Sequence, residues 1–154
     1  GAVTIGTLDG ANIEIREECG DENFFLFGLT APEVEERRQS YNPVAIIHDD
    51  PDITRIMHLL ESAHFNQFER GIFDPILHSL TSPHDPWLTI ADLRAFIDAQ
   101  SQAALAYQDE ERWTRMSILN TATSGKFSTD RTMREYNAEI WKLKPLPEMP
   151  LAEI

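Results

Sequence analysis

The chain opens with a strand-like run, and this run sets the strongest limit on what it can fold into. Val3 to Leu8 is a short stretch of apolar and β-branched residues that ends at the turn signal Asp9-Gly10. Natural domains usually begin in exposed linker, because few contacts cross there. We therefore expect this chain to begin in mid-fold, with its first strand pairing to other sequence.

Two continuations after Asp9-Gly10 compete. An Asp-Gly pair between apolar runs is a signal for a hairpin, and Ile13 and Ile15 alternate as a return strand would. Asn12, however, is a good N-cap, and Gly20 suits the end of a helix. The capping signals favour a short helix over the hairpin.

A second strand is predicted at Asn23 to Phe27, because an almost entirely apolar run is typical of a parallel strand buried on both faces. Strand, helix and strand in this order predict a parallel crossover. The expected fold class is α/β, predominantly helical, with two short parallel strands near the N-terminus.

The sequence after Gly28 carries helical signals. Thr30 and Glu33 form a capping box with Pro32 near the first turn, which predicts a helix through about Gln39. Further helices are predicted from four groups of residues: Ile53, Ile56, Met57 and Leu60, capped by Asp50 or Asp52; Ile72, Ile76, Leu77 and Leu80; a stretch from Thr89 with Leu93, Phe96, Ile97, Ala104, Tyr107, Trp113, Met116 and Leu119, as one long or two abutting helices that stop at Gly125; and a last helix capped by Asp130 that runs through Trp141.

Composition excludes several classes of function. The 154 residues suit one domain, and 13 basic against 26 acidic residues give a net charge of −13, which repels nucleic acid. Apolar runs such as Phe24–Phe27 are far shorter than the roughly 20 residues of a membrane span, so we expect no membrane partner. Cys19 is the only cysteine, which rules out an intrachain disulfide and predicts a small buried hydrophobe.

One segment offers the ligand types of a metal site. His48 is followed by three carboxylates at Asp49, Asp50 and Asp52. Helix capping explains these aspartates more simply, because the spacing and glycine of a regular Ca²⁺ loop are missing. The other histidines are His58, His64, His78 and His84, and no two of them lie three or four residues apart. No metal ligand is therefore predicted in this chain.

Two further motifs point to chemistry only weakly. Ser124-Gly125-Lys126 invites comparison with a phosphate-binding loop, but Asn120 stands where the first glycine belongs and Phe127 replaces the Ser or Thr. Tryptophan side chains can stack on sugars, yet Trp113 lies at helical spacing with core positions, so core packing is favoured for it. The other tryptophans are Trp87 and Trp141.

Several segments resemble the α-glucan phosphorylases, the family of glycogen, starch and maltodextrin phosphorylases. The opening run, Gly1 to Glu14, is similar to the stretch that follows the cofactor lysine in that family. The similarity continues in four later segments, with Tyr41 to Leu88 the least distinctive part: Gly20–Gly28, Trp113–Arg115, Asn120–Thr132 and Tyr136–Trp141.

The resemblance implies the C-terminal part of a Rossmann-like, GT-B type glycosyltransferase. Such a cytoplasmic enzyme transfers a terminal α-1,4-linked glucosyl unit to phosphate, giving glucose 1-phosphate, and holds pyridoxal 5′-phosphate on a lysine. That lysine is expected upstream of Gly1, since the lysines here are Lys126, Lys142 and Lys144, none near a glycine-rich turn after a strand. We therefore predict no catalytic and no cofactor-binding residue in this chain, and no activity for it alone.

The implied domain organisation is one partial domain over residues 1–154. Residues 1–28 form the strand-turn-helix-strand portion, residues 29–144 the helical portion and residues 145–154 an extended tail. The parent enzyme is expected to bind α-glucan and phosphate and to form a homodimer, whereas the isolated piece is expected to self-associate through exposed sheet edges. The alternative is a non-catalytic, acidic helical module that binds a protein partner.

Overall fold

The computed structural model describes residues 2–144, which form a mostly helical structure around one small parallel sheet. The strands and helices follow one another in this order: β1 (Thr4–Gly6), α1 (Ala11–Cys19), β2 (Phe24–Leu26), α2 (Ala31–Arg38), α3 (Pro43–Asp49), α4 (Pro51–Glu61), α5 (Asp74–Thr81), α6 (Thr89–Gln108), α7 (Glu110–Thr123) and α8 (Thr129–Tyr136).

The parallel crossover is confirmed. Strands β1 and β2 pair in parallel, with Ile5 opposite Phe25, and α1 connects them, so the hairpin alternative is wrong. Burial on both faces is confirmed for Phe24 and Phe25, which point to opposite faces of β2 and are both buried, whereas Leu26 at the end of the strand is 42% exposed.

The N-cap of helix α1 lies two residues before the predicted one. Gly10, at φ 54°, is the N-cap residue, and Asn12 lies inside the first turn. The Asn12 side chain instead lies against Gly6, where an added Cβ would come within 2.8 Å of Nδ2. Gly20, at φ 88°, ends the helix as predicted, in a conformation that glycine adopts easily.

Helix α2 has the predicted capping box. The Thr30 amide and hydroxyl both donate to Glu33 Oε2, at 2.8 and 2.6 Å. Both hydrogen bonds lower the pKa of Glu33, and the one from the Thr30 hydroxyl has the larger effect. The next helix, α3, is absent from the sequence prediction, although Asn42 caps it by accepting a hydrogen bond from the Ala45 amide at 3.1 Å.

Helix α6 packs against two hydrophobic clusters. Near its N-terminal end, Ile90 joins a cluster with residues of α4, and farther along, its alanines pack with β2 and α7. The first cluster contains Ile53, Met57 and Ile90; the second contains Phe25, Ala99, Ala103, Ala106 and Met116.

The face that α6 buries differs from the predicted one. Ala104 and Tyr107 were expected on the apolar side, but both are exposed, and Ala99, Ala103 and Ala106 are buried instead. Small side chains let the helix approach its neighbours closely, so the alanine positions identify the packed face better than the large residues do. Of the two arrangements left open for the stretch from Thr89, the structure has two abutting helices, α6 and α7, separated by Asp109.

The last helix is capped by a different residue from the one predicted. The Ser128 hydroxyl accepts a hydrogen bond from the Arg131 amide at 3.3 Å, which places Asp130 in the first turn of α8. The α-helix ends at Tyr136 and a wider π-helical turn continues through Trp141. The predicted extended tail, residues 145–154, lies outside the described residues.

Over residues 2–144, none of the helices combines the length and the apolar character that crossing a bilayer requires.

Asp50 holds the start of α4 and connects it to α6. Its carboxylate accepts hydrogen bonds from the amides of Asp52 and Ile53, at 3.0 and 3.2 Å, as the capping interpretation predicted. Arg94 Nε and Nη2 donate to the same carboxylate at 2.7 and 2.5 Å. The hydrogen bonds from Arg94 are the main cause that lowers the pKa of Asp50 to about 2.

We expect Asp50→Asn to make the fold less sensitive to acid. A depressed pKa means that the carboxylate contributes stability above its unfolded pKa of about 4, and that this contribution is lost as the pH falls toward 2. Circular dichroism melts should show a Tm about 2–4 °C lower in the variant near neutral pH, and a smaller further loss of Tm at about pH 3 than in the wild type.

Asp49→Asn is the matched control, since the Asp49 carboxylate is 82% exposed beside the capping position. Its melts should follow the wild type. Equal acid sensitivity of the Asp50 variant and the wild type would contradict the assigned role.

Candidate functional site

A cleft lies beyond the carboxyl ends of the two parallel strands. Ligands of open α/β sheets bind at this edge. The segment Thr7–Asp9 follows β1 and Leu29 follows β2, and together with α2 and the start of α6 they enclose a cavity of about 420 Å³. We call this cavity the strand-end cleft; the polar and aromatic residues that line it are Thr7, Asp9, Glu35, Arg38, Trp87 and Asp92.

Asp92 connects the first turn of α6 to the end of β2. Its Oδ1 accepts a hydrogen bond from the Leu29 amide at 2.9 Å. Gly28, at φ 81°, lies so close that an added Cβ would be 2.8 Å from Asp92 Oδ2, so this position requires glycine for both space and conformation. Burial raises the pKa of Asp92 despite the hydrogen bond from Leu29.

Asp85 holds the loop that precedes α6. It is 4% exposed, its Oδ1 accepts from the Trp87 amide at 2.9 Å, and its Oδ2 accepts from the Thr89 amide at 2.8 Å. Burial acts to raise the pKa of Asp85, but these hydrogen bonds outweigh it and the pKa is lowered. The carboxylate is therefore ionised and fully engaged in holding the backbone.

The loop presents Trp87 to the cleft. The indole side chain is 81% exposed, whereas the next residue, Leu88, is 1% exposed in a left-handed conformation at φ 51°. Arg38 Nη2 donates to the Pro86 carbonyl at 2.9 Å, which joins the loop to α2. A non-glycine residue keeps a positive φ only where its surroundings hold it firmly, so Trp87 stands on a rigid support.

The segment His48 to Asp52 has a structural role. Asp50 caps α4, as expected of the simpler interpretation, and Asp52 Oδ2 accepts a hydrogen bond from Arg94 Nη2 at 2.8 Å. The His48 and Asp49 side chains are largely exposed. Among residues 2–144, no group of three or more His, Cys, Asp or Glu side chains is arranged to hold a metal ion.

Lys126 lies in a short 3₁₀ turn over Ser124–Phe127 that follows α7. Its Nζ forms an ion pair with Glu18 Oε1 at 2.5 Å, and this hydrogen bond is the main cause that raises its pKa. The Lys126 ammonium thus serves to hold α1 against the end of α7.

The other residues singled out in the sequence have packing roles. Trp113 packs on the Phe25 cluster and meets Tyr107 edge to face, with ring centroids 5.1 Å apart, so its core role is confirmed. Trp141 packs edge to face on Tyr136 at 5.5 Å. Cys19 is 5% exposed, and burial raises the pKa of its thiol, as suits a small buried hydrophobe.

Sequence analysis missed Asp85 and Asp92. Asp85 precedes a proline and stands four residues before Thr89, which is a usable signal for a turn that leads into a helix. Asp92 carried no such signal, because its partner Leu29 is 63 residues away.

The chain matches the family model described as carbohydrate phosphorylase over residues 1–143. A glycogen phosphorylase from Synechocystis sp. is 50% identical over 147 residues, which cover 95% of this chain and 17% of that relative. A glycogen phosphorylase from Chlamydia trachomatis is 41% identical over 143 residues, covering 93% of this chain and 18% of the relative. The muscle form of glycogen phosphorylase from Mus musculus is 42% identical over 146 residues, which cover 94% of this chain and 17% of that relative.

We expect Asp85→Ala to lower the free energy of unfolding by about 1–3 kcal/mol, because it leaves the Trp87 and Thr89 amides without their acceptor. Asp85→Asn retains one acceptor oxygen and should fall between the wild type and the alanine variant. Urea unfolding followed by circular dichroism measures both changes.

Asp98→Ala, on the helix that follows this loop, is the control, since the Asp98 side chain is 60% exposed and makes one long ion pair with Arg94 at 3.9 Å. It should unfold like the wild type. An Asp85→Ala variant as stable as this control would show that the loop is held by other contacts.

Proposed function

The chain belongs to the carbohydrate phosphorylase family, and we propose that it forms part of an α-glucan phosphorylase, which transfers a terminal α-1,4-linked glucosyl unit to inorganic phosphate and releases glucose 1-phosphate. The observation that carries this proposal is the extent of the match. It covers residues 1–143, and identity to a glycogen phosphorylase reaches 50%. The resemblance of the opening run is thereby confirmed.

In this proposal the described residues build a supporting part of a Rossmann-like domain of the GT-B type. Two observations support it: the parallel pair of β1 and β2, and the packing of α6 against the buried Phe25 of β2. Strands of this kind are ordinarily covered on both faces and paired on both edges. We infer that the outer edge of β1 pairs with a further strand of the working enzyme, or with another copy where that strand is missing.

The residues present do not fit pyridoxal 5′-phosphate. A lysine that forms a Schiff base must give up its proton, whereas the ion pair with Glu18 raises the pKa of Lys126 and favours its charged form. Lys142 and Lys144 follow the last turn and are exposed, far in sequence from the strand-end cleft. We therefore place the cofactor lysine outside these 154 residues, upstream of Gly1, and assign no step of the reaction to the cofactor here.

The proposal extends to the setting of the enzyme. We propose a cytoplasmic homodimer that binds α-glucan and phosphate, with the basic groups for phosphate contributed by other sequence, because this chain carries a net charge of −13. A non-catalytic acidic helical module is the alternative, and the activity measurement below separates the two.

The complete gene product that contains these residues is expected to form glucose 1-phosphate from maltoheptaose and inorganic phosphate. Coupled assay of glucose 1-phosphate measures the reaction, with omission of phosphate as the control. A folded, cofactor-loaded protein that yields no glucose 1-phosphate would contradict the proposal and favour the interaction module.

The cofactor is expected to bind to a lysine other than Lys126. Borohydride reduction of the loaded protein should leave the pyridoxyl group on a peptide that lacks Lys126, and Lys126→Arg should keep the absorption band of the Schiff base, because the arginine can still pair with Glu18. Lys142→Arg is the matched control. A pyridoxyl group found on Lys126 would overturn this assignment.

A further inference from the structure

The turn between β1 and α1 brings a backbone amide against a carboxyl group. The Gly10 amide donates a hydrogen bond to Asp9 Oδ1 at 2.9 Å, and both residues are exposed. Gly10 is the N-cap residue of α1, and the amide of an N-cap residue has no acceptor within its own helix. The hydrogen bonds of the helix therefore leave this nitrogen beside the Asp9 carboxyl group.

We propose that Asp9–Gly10 is a site of spontaneous succinimide formation, through which Asp9 becomes an isoaspartyl residue in the folded protein. The Gly10 nitrogen attacks Asp9 Cγ, the new N–C bond closes a five-membered ring, and the carboxyl hydroxyl group leaves as water with the amide proton. Water then opens the ring at one of its two carbonyl groups. Opening at Cγ restores Asp9, whereas opening at the main-chain carbonyl leaves the chain running through Cβ and Cγ. One water molecule is released and one is taken up, so no co-reactant is needed.

The geometry of the turn favours this ring closure. The hydrogen bond to Asp9 Oδ1 holds the Gly10 nitrogen next to the carboxyl group, so the reaction starts close to a near-attack arrangement. Gly10 has no side chain to crowd its nitrogen, and a Cβ added there would meet no atom within 4 Å apart from its chain neighbours. The turn thus has open space through which water leaves and enters.

The main chain of this turn is held loosely. The Asn12 amide donates to the Asp9 carbonyl and the Ile13 amide donates to the Gly10 carbonyl, both at 3.2 Å, which is the long end of the ordinary range. Asp9 is also the only aspartate in the sequence that a glycine follows, and no asparagine precedes a glycine. The same reaction is therefore expected to be slower at every other aspartate, where the next residue crowds or lacks the attacking N–H group.

An isoaspartyl residue at position 9 changes the link between β1 and α1. The main chain gains one carbon atom, because it then passes through Cβ and Cγ, whereas the negative charge is kept. The start of α1 at Gly10 is displaced from the end of β1, and the Asn12 side chain moves away from Gly6, against which it lies. The modified chain therefore holds α1 less firmly on the sheet, and the modification marks the age of the protein. This proposal rests on the turn and not on the proposed phosphorolysis.

The test incubates the complete, folded gene product in H₂¹⁸O near neutral pH and then digests it with trypsin in ordinary water. Each ring opening places one ¹⁸O atom in the carboxyl group at position 9. The peptide that ends at Arg16 contains Asp9 as the only aspartate among residues 1–16, and fragment ions locate the label. Mass spectrometry is expected to show this peptide labelled and separated into two isomers of equal mass, and the incubated protein is expected to melt at a lower Tm than the fresh protein.

Asp130 is the control within the same digest, since it is also exposed but is followed by Arg131. It is expected to take up about 10-fold less ¹⁸O than Asp9, and this comparison needs no variant. Asp9→Glu is the matched variant, because it keeps the charge but would have to close a six-membered ring, and it should lose the label at position 9 and keep its Tm on incubation. Equal ¹⁸O at Asp9 and Asp130, or a labelled Asp9 peptide without an isoaspartyl isomer, would overturn the proposal.

Discussion

The close packing of helix α6 is the contact on which the rest of the structure depends. Its alanines at positions 99, 103 and 106 lie in the cluster that contains Phe25 of β2 and Met116 of α7. Its first turns place Ile90 in the other cluster, with Ile53 and Met57 of α4. One 20-residue helix thus contributes to both hydrophobic clusters, which have no buried residue in common. Both the strand-end cleft and the Asp50–Arg94 ion pair are built at its N-terminal half.

Local signals predicted the elements whose determinants lie close together in the sequence. The capping box at Thr30 and Glu33, the Asp50 cap and the positive φ at Gly20 all depend on residues within a few positions. Capping was predicted poorly at Asn12 and Asp130, because in each case the N-cap residue, Gly10 or Ser128, lies two positions before the residue named from the sequence.

The features that the sequence did not predict depend on contacts between residues far apart in the chain. Which face of α6 is buried follows from the approach of β2 and α7, and alanine carries too weak an apolar signal to reveal it. The Asp92 contact with Leu29 spans 63 positions and the Arg94 contact with Asp50 spans 44. The family was predictable because the opening run is specific. The candidate site was not, because its residues come from three separate parts of the chain.

The sequence positions of β2 and α6 have a consequence for synthesis of the chain on the ribosome. Phe25 leaves the ribosome 78 residues before Ala103, its partner in the same cluster. At translation rates of about 5–20 residues per second, the apolar strand waits about 4–16 s for the helix that covers it. During that interval the first strand pair is a nascent segment without its core, so molecular chaperones have time to bind it before the native packing can form.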